Sequence, residues 1–163
     1  MIVVNASNIE KDWNWIVKQN IKFNSKLTNI SDQTSLLALQ GPKANEVLQK
    51  LIDFDLSQLK SYSFVKSDIK GIKEVIISTT GYTGSGGVEL YVNNVDAIKL
   101  YNLLIETGKY LDIKPIGLAA RDTLRLEMGY CLYGNDINDT TNPIEAGLKW
   151  ATKTNKDFIG KTH

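Results

Sequence analysis

The sequence predicts an α+β fold with interleaved sheet and helices and mixed strand pairing. Three observations lead there. Apolar residues switch repeatedly between strand-like runs and helical spacing, and the segments follow in the order strand, helix, strand, helix, strands, helix, helix. Glycine and proline punctuate the switches, and no Pro- or Ser-rich linker or internal repeat divides the 163 residues.

Residues 1–6 are mostly β-branched and apolar, which reads as a strand buried on both sides. A domain seldom starts inside such a strand, so further chain upstream is expected. Ser7 and Glu10 have the spacing of a capping box, and Ile9, Trp13, Ile16 and Val17 then recur on one helical face, giving a helix over 8–18 with its stripe toward a core. Residues 19–33 are rich in Asn, Ser, Lys and Thr and read as a long connection. A buried strand at 35–40 precedes Gly41-Pro42, a turn with proline suited to a first helical position, and Ala44, Val47, Leu48, Leu51 and Ile52 mark the next helix.

Strands are expected at 62–69, 74–79 and 88–92, the last after a glycine-rich turn. A helix over 95–106 can close at Gly108. Pro115 leads into another over 116–128 that ends at Gly129 and whose many leucines and alanines predict considerable burial.

Composition excludes several classes of function. Nineteen basic and eighteen acidic residues balance to +1, so no global field favours nucleic acid or an anionic membrane. No run approaches the ~20 apolar residues of a membrane span, and the default compartment is the cytoplasm. Cys131 is the only cysteine, which rules out an intrachain disulfide and a multi-cysteine metal site; without a base or metal partner in sequence, it reads as structural. The only histidine, His163, is the last residue, a poor place for a triad or metal ligand. Chemistry is left to carboxylates, Arg, Tyr, Lys and backbone groups.

GYTGSGG, residues 81–87, has four glycines but neither the Walker nor the dinucleotide spacing, so a connection between strands accounts for it without a ligand. In VELYV, Glu89 and Tyr91 point to the face opposite Val88, Leu90 and Val92. A carboxylate on a stiff strand suits a heterocycle presenting two adjacent N–H donors, since it can accept both. Arg121 and Arg125 share a helix face with Asp122 and Glu127 near enough for ion pairs. The run 130–148 reads as a long ordered loop able to place Tyr130, Tyr133 and Asp136 over a cleft.

Four blocks in order, VNASNIEKD, LLALQGPKA, GYTGSGGVEL and GLAARDTLRLEMGYCLYGNDI continuing to NPIEAGL, resemble the T protein family of the glycine cleavage system, the folate-dependent aminomethyltransferases. The match covers nearly the whole chain, and ARDTLRLE with LYGNDI is its most specific part. The resemblance implies ferredoxin-like subdomains, roughly 1–70 and 71–163, without the family's C-terminal β-barrel. It implies tetrahydrofolate as cosubstrate, no metal, and the lipoylated H protein as partner. The folate's aminopyrimidinone edge falls to Glu89 and a substrate-binding arginine to Arg121, while Tyr82, Val4, Asn5 and Tyr130 occupy positions lining the pterin pocket.

Two departures matter. The family's catalytic aspartate lies upstream of the VNASN block, outside these residues, so the chain by itself is expected to transfer little or nothing. Ser85 and Gly86 replace the usual acidic residues of the glycine loop. Exposed former interfaces would favour a homo-oligomer. A noncatalytic folate-binding or assembly module, and the folate domain of a related demethylase or amine-oxidising enzyme, are the alternatives; LYGNDI disfavours the last.

Overall fold

A computed structural model describes residues 1–162; His163, set aside above as a candidate base, lies outside the described residues. The α+β class is borne out. A four-stranded sheet is built from β1 (Thr34–Gln40), β2 (Phe64–Ile69), β3 (Ile72–Ser78) and β4 (Gly87–Asn93) in the order β1-β4-β3-β2. Each neighbouring pair is antiparallel, so the mixed pairing expected from sequence is corrected. The reason is connectivity: β2, β3 and β4 follow one another through short turns, whereas parallel neighbours need a crossover. β2 and β3 pair across Lys70 and Gly71, both at positive φ (43° and 83°), as a tight two-residue hairpin turn requires. One sheet therefore runs across the position where the sequence placed a passage between subdomains.

Alternation along the strands gives the sheet two unlike faces. Leu39, Val88, Leu90, Val75 and Ile77 point to one side and are buried there with Val47, Leu48, Leu51 and Ile52 from α2 (Ala44–Gln49) and the turn after it, and with Leu100 and Leu104 from α3 (Asn94–Gly108). Area removed from water at this single core is the main stabilising term. α2 starts at Ala44, so Pro42 sits in the preceding turn rather than at the first helical position. α3 follows β4 directly because the Asn93 side chain accepts a hydrogen bond from the Val95 amide (3.2 Å) and caps the helix. Its left-handed residue is Asp112 (φ 63°), after one further 3-10 turn, and not Gly108.

The chain's two ends depart most from expectation. Residues 1–5 form no strand: Met1, Ile2 and Val3 are exposed, because β-branched residues make a strand only where a neighbour supplies backbone partners. α1 (Ile9–Asn20) forms close to the expected bounds, but Ser7 gives its hydroxyl to Asn5 (3.3 Å) rather than capping, and every residue of α1 stays half-buried or exposed. α4 (Leu118–Glu127) ends at Met128 and Gly129 (φ 70°) as expected, yet the burial predicted for it is wrong. Leu118 and Leu126 are 75% and 53% exposed, whereas Arg125 is 2% exposed. No helix among the described residues is long and apolar enough to cross a membrane.

Candidate functional site: a carboxylate in a hollow on the open face of the sheet

The sheet's second face carries the candidate site. Register places Ala38, Glu89 and Ser78 side by side, with Leu36, Tyr91 and Ile76 in the next row. Glu89, Tyr91, Ile76, Ser78 and Phe64 line a hollow of about 310 Å³, joined by Thr80 just beyond β3 and by Met1 and Val3 from the N-terminal segment. That volume is at the small end of the range for pockets holding organic ligands. Among the described residues of the lining, Glu89 is the one ionisable carboxylate and the other walls are largely apolar or aromatic.

Glu89 is held, not loose. Its Oε2 accepts hydrogen bonds from Thr80 Oγ1 (2.5 Å) and from the Tyr91 hydroxyl (3.3 Å). Burial, and then the charge of Glu89, pushes the Tyr91 phenol up to about 12, so it remains a donor across the neutral range. An anchored acceptor among apolar walls fits the edge of a flat heterocycle whose paired N–H groups need a partner once they leave water.

A second group assembles beside the glycine loop. The rings of Tyr82 and Tyr130 stack, centroids 5.8 Å apart and 20° from parallel, and the Arg121 guanidinium carbon lies 5.9 Å from the centre of the Tyr82 ring. The Tyr82 hydroxyl donates to the Cys131 carbonyl, and burial raises that phenol above its ordinary value. The structure thus joins Tyr82, Tyr130 and Arg121 in one cluster and sets Glu89 in the hollow, two residues in register from the start of β4, where that loop ends. Val4 is half-buried and Asn5 is exposed; Met1 and Val3 of the same segment reach the hollow instead.

The glycines of the loop have packing reasons. At Gly87 (φ 115°) a Cβ would lie 2.3 Å from the Leu39 carbonyl oxygen, and at Gly84 (φ 67°) one would meet the Met128 side chain at 2.4 Å. The loop is thereby pressed against both β1 and the end of α4.

Sequence reasoning passed over Thr80 and Tyr91, though the alternation that selected Glu89 also selects Tyr91. It also passed over the part played by Arg125. That side chain donates to Asp122 (2.8 Å), to the Tyr130 carbonyl (3.0 Å) and to Asp136, tying α4 to the long loop. Asp136 and Tyr133, expected over a cleft, are engaged locally: Asp136 accepts from Arg125 and from the Leu132 amide (2.9 Å), and the Tyr133 hydroxyl donates to Asp139 (2.5 Å) and accepts from Lys11 (2.7 Å).

This chain and its fold have counterparts among known proteins. Residues 1–156 match the family described as GCVT N-terminal domain, and the chain belongs to that family. Curated relatives named aminomethyltransferase are similar over nearly its whole length: 60% identical in Flavobacterium psychrophilum, 57% in Bacteroides fragilis and 48% in Thermotoga neapolitana, covering 100%, 99% and 99% of this chain. The chain spans about 45% of the length of the first two and 44% of the third. A solved structure, the glycine cleavage system aminomethyltransferase T from Bartonella henselae, superposes with a TM-score of 0.74 at 34% identity, over 90% of this chain and 38% of its own.

Proposed function

We propose that this chain forms the folate-binding part of an aminomethyltransferase of the glycine cleavage system. The reaction passes a one-carbon unit from the S-aminomethyl-dihydrolipoyl arm of the H protein to tetrahydrofolate and releases ammonia. The observation that carries the reading is Glu89: an acceptor anchored on β4 by neighbouring hydroxyls, inside a hollow with largely apolar or aromatic walls, in a chain whose relatives bear that enzyme name.

In this reading Glu89 takes the aminopyrimidinone edge, Phe64, Ile76 and Tyr91 wall the ring, and Tyr82, Tyr130 and Arg121 meet the remainder of the folate at the loop. Val4 and Asn5 act through the segment whose Met1 and Val3 close the hollow. The chain's contribution to rate is orientation, holding the accepting nitrogen toward the aminomethyl carbon. Glu89 is committed to binding, so the carboxylate that stabilises developing positive charge and moves protons comes from outside the lining residues. We place the protein in the cytoplasm, and the exposed Trp15, Ile21, Phe23 and Leu118 support self-association.

Two measurements test this. Calorimetric titration of tetrahydrofolate into the chain should show one site, and Glu89→Ala should weaken it about a hundredfold, the worth of a charge-assisted pair of hydrogen bonds; unchanged affinity removes the assignment. In a transfer assay with aminomethyl-loaded H protein, this chain alone should form little or no methylenetetrahydrofolate, whereas a chain that also carries the family's upstream aspartate should form it; no turnover in the longer chain would favour the noncatalytic folate module instead.

A further inference from the structure

We propose that Thr80 is a positioning residue for Glu89: a directed chain of hydroxyls, Ser78 to Thr80 to Glu89, fixes the Oε2 side of the carboxylate and leaves Oε1 to take the first of a ligand's paired donors. The assignment rests on the reading of Glu89 as the group that meets the folate edge.

The direction of the chain follows from counting protons. A threonine hydroxyl has one proton to give, and that of Thr80 goes to Glu89 Oε2 at 2.5 Å. The 2.9 Å contact between Ser78 Oγ and Thr80 Oγ1 must then run from serine to threonine. Donation into Thr80 polarises its own O–H, which strengthens the bond to the carboxylate. The strand geometry favours this arrangement, since Ser78 lies in register with Glu89 on the adjacent strand and Thr80 is two residues further on. Threonine is also stiffer about χ1 than serine, so its hydroxyl is aimed by its own β-branch.

Oε2 thus carries two bonds of unequal quality, Thr80 at 2.5 Å and Tyr91 at 3.3 Å. The short bond is the anchor. The long one is weak enough to yield when a ligand's second N–H arrives, so Oε2 is shared and Oε1 is taken first. Locking a glutamate side chain in advance removes rotamer entropy that binding would otherwise have to overcome. The gain is specific to a ligand with two adjacent donors, because only such a ligand depends on the plane in which the carboxylate is held.

The test uses the full chain and two probes, tetrahydrofolate and an analogue lacking its 2-amino group, titrated calorimetrically into the parent, Thr80→Val, Thr80→Ser, Ser78→Ala and Glu89→Gln. Thr80→Val should weaken tetrahydrofolate about tenfold, the cost of one net hydrogen bond to a charged group, and leave the analogue within about twofold. Thr80→Ser should recover most of the loss, and Ser78→Ala should reproduce a fraction of it. Parental affinity in Thr80→Val, equal weakening for both probes, or no rescue by serine overturns the role. If Thr80→Val does not fold by circular dichroism, Ser78→Ala decides, since loss of discrimination between the probes is expected there and its absence counts against the chain. Unchanged tetrahydrofolate binding in Glu89→Gln overturns the folate reading itself, and the Thr80 role with it. Weakening in Glu89→Gln without weakening in Thr80→Val removes only the Thr80 role.

Discussion

The covered side of the sheet and the assembly of α1, α4 and the long loop are held together by opposite means. Under the sheet, sixteen buried apolar residues among those described share one core, and the strands are joined by backbone hydrogen bonds. In the other region Leu118 and Leu126 of α4 face outward, and the ties to the long loop are charged: Arg125 of α4, paired also with Asp122 in its own helix, reaches Asp136, and Lys11 of α1 reaches Asp139 at 2.7 Å with the Tyr133 ring 4.2 Å from its ammonium. Apolar burial is insensitive to pH, whereas these ion pairs depend on carboxylates that stay partly exposed, even where the cation, Arg125, is buried, and they act mainly on local geometry. The candidate residues divide in the same way: Glu89 stands on the stiff sheet, and Tyr82, Tyr130 and Arg121 cluster where the glycine loop meets α4 and the long loop. The anchor should therefore be rigid and the outer cluster adjustable.

The largest effect expected is at the core. Leu90 is fully buried at the centre of the sheet, so Leu90→Ala should lower the free energy of unfolding by about 3 kcal/mol through lost burial and a residual cavity. Urea denaturation followed by far-ultraviolet circular dichroism measures it, and a loss below about 1 kcal/mol would mean the core is looser than the structure shows.

Arg125→Met should act locally. It strands Asp122, Asp136 and the Tyr130 carbonyl without their donor, so amide hydrogens of 118–136 should exchange at least about tenfold faster while the urea midpoint of the sheet scarcely moves. Equal acceleration in β3 and β4 would show that the two regions unfold together.

The smallest effect is acid loosening of the same assembly. The Leu132 amide, then Arg125, holds the Asp136 carboxyl below the usual range, and Lys11, then Tyr133, does so for Asp139. Both groups bind protons more readily unfolded than folded. Their contribution is complete above the unfolded value, near pH 4, and is lost as pH falls through the depressed folded values. Limited proteolysis by pepsin should cut within 130–148 increasingly as pH drops from about 4 to 2, before the sheet's circular dichroism changes. Simultaneous loss of both would break the contrast.

What was legible follows the same division. VELYV displayed its alternation plainly, and the face assigned to Glu89 and Tyr91 is the face they occupy. Burial of α4 could not be read correctly, because periodicity marks leucines as apolar without saying whether another surface covers them. Residues 1–6 misled for a related reason: their β-branched character describes what a strand would contain, but no neighbouring strand is aligned with them. Thr80 was invisible because a hydroxyl becomes a positioning group only when a turn brings it to a carboxylate nine residues away.

The sequence by itself determined the α+β class, the four strands of the sheet, the helices, the family and the face of β4 on which Glu89 stands. Those depend on local periodicity, turn chemistry and residue type, all of which are written along the chain. Tertiary structure alone decided that all strands of the sheet pair antiparallel, that the buried residue of α4 is an arginine, and that the hydroxyls of Thr80 and Tyr91 converge on Glu89. Such outcomes depend on which distant groups meet, and a hydrogen bond or a buried charge takes its role from the partner it finds.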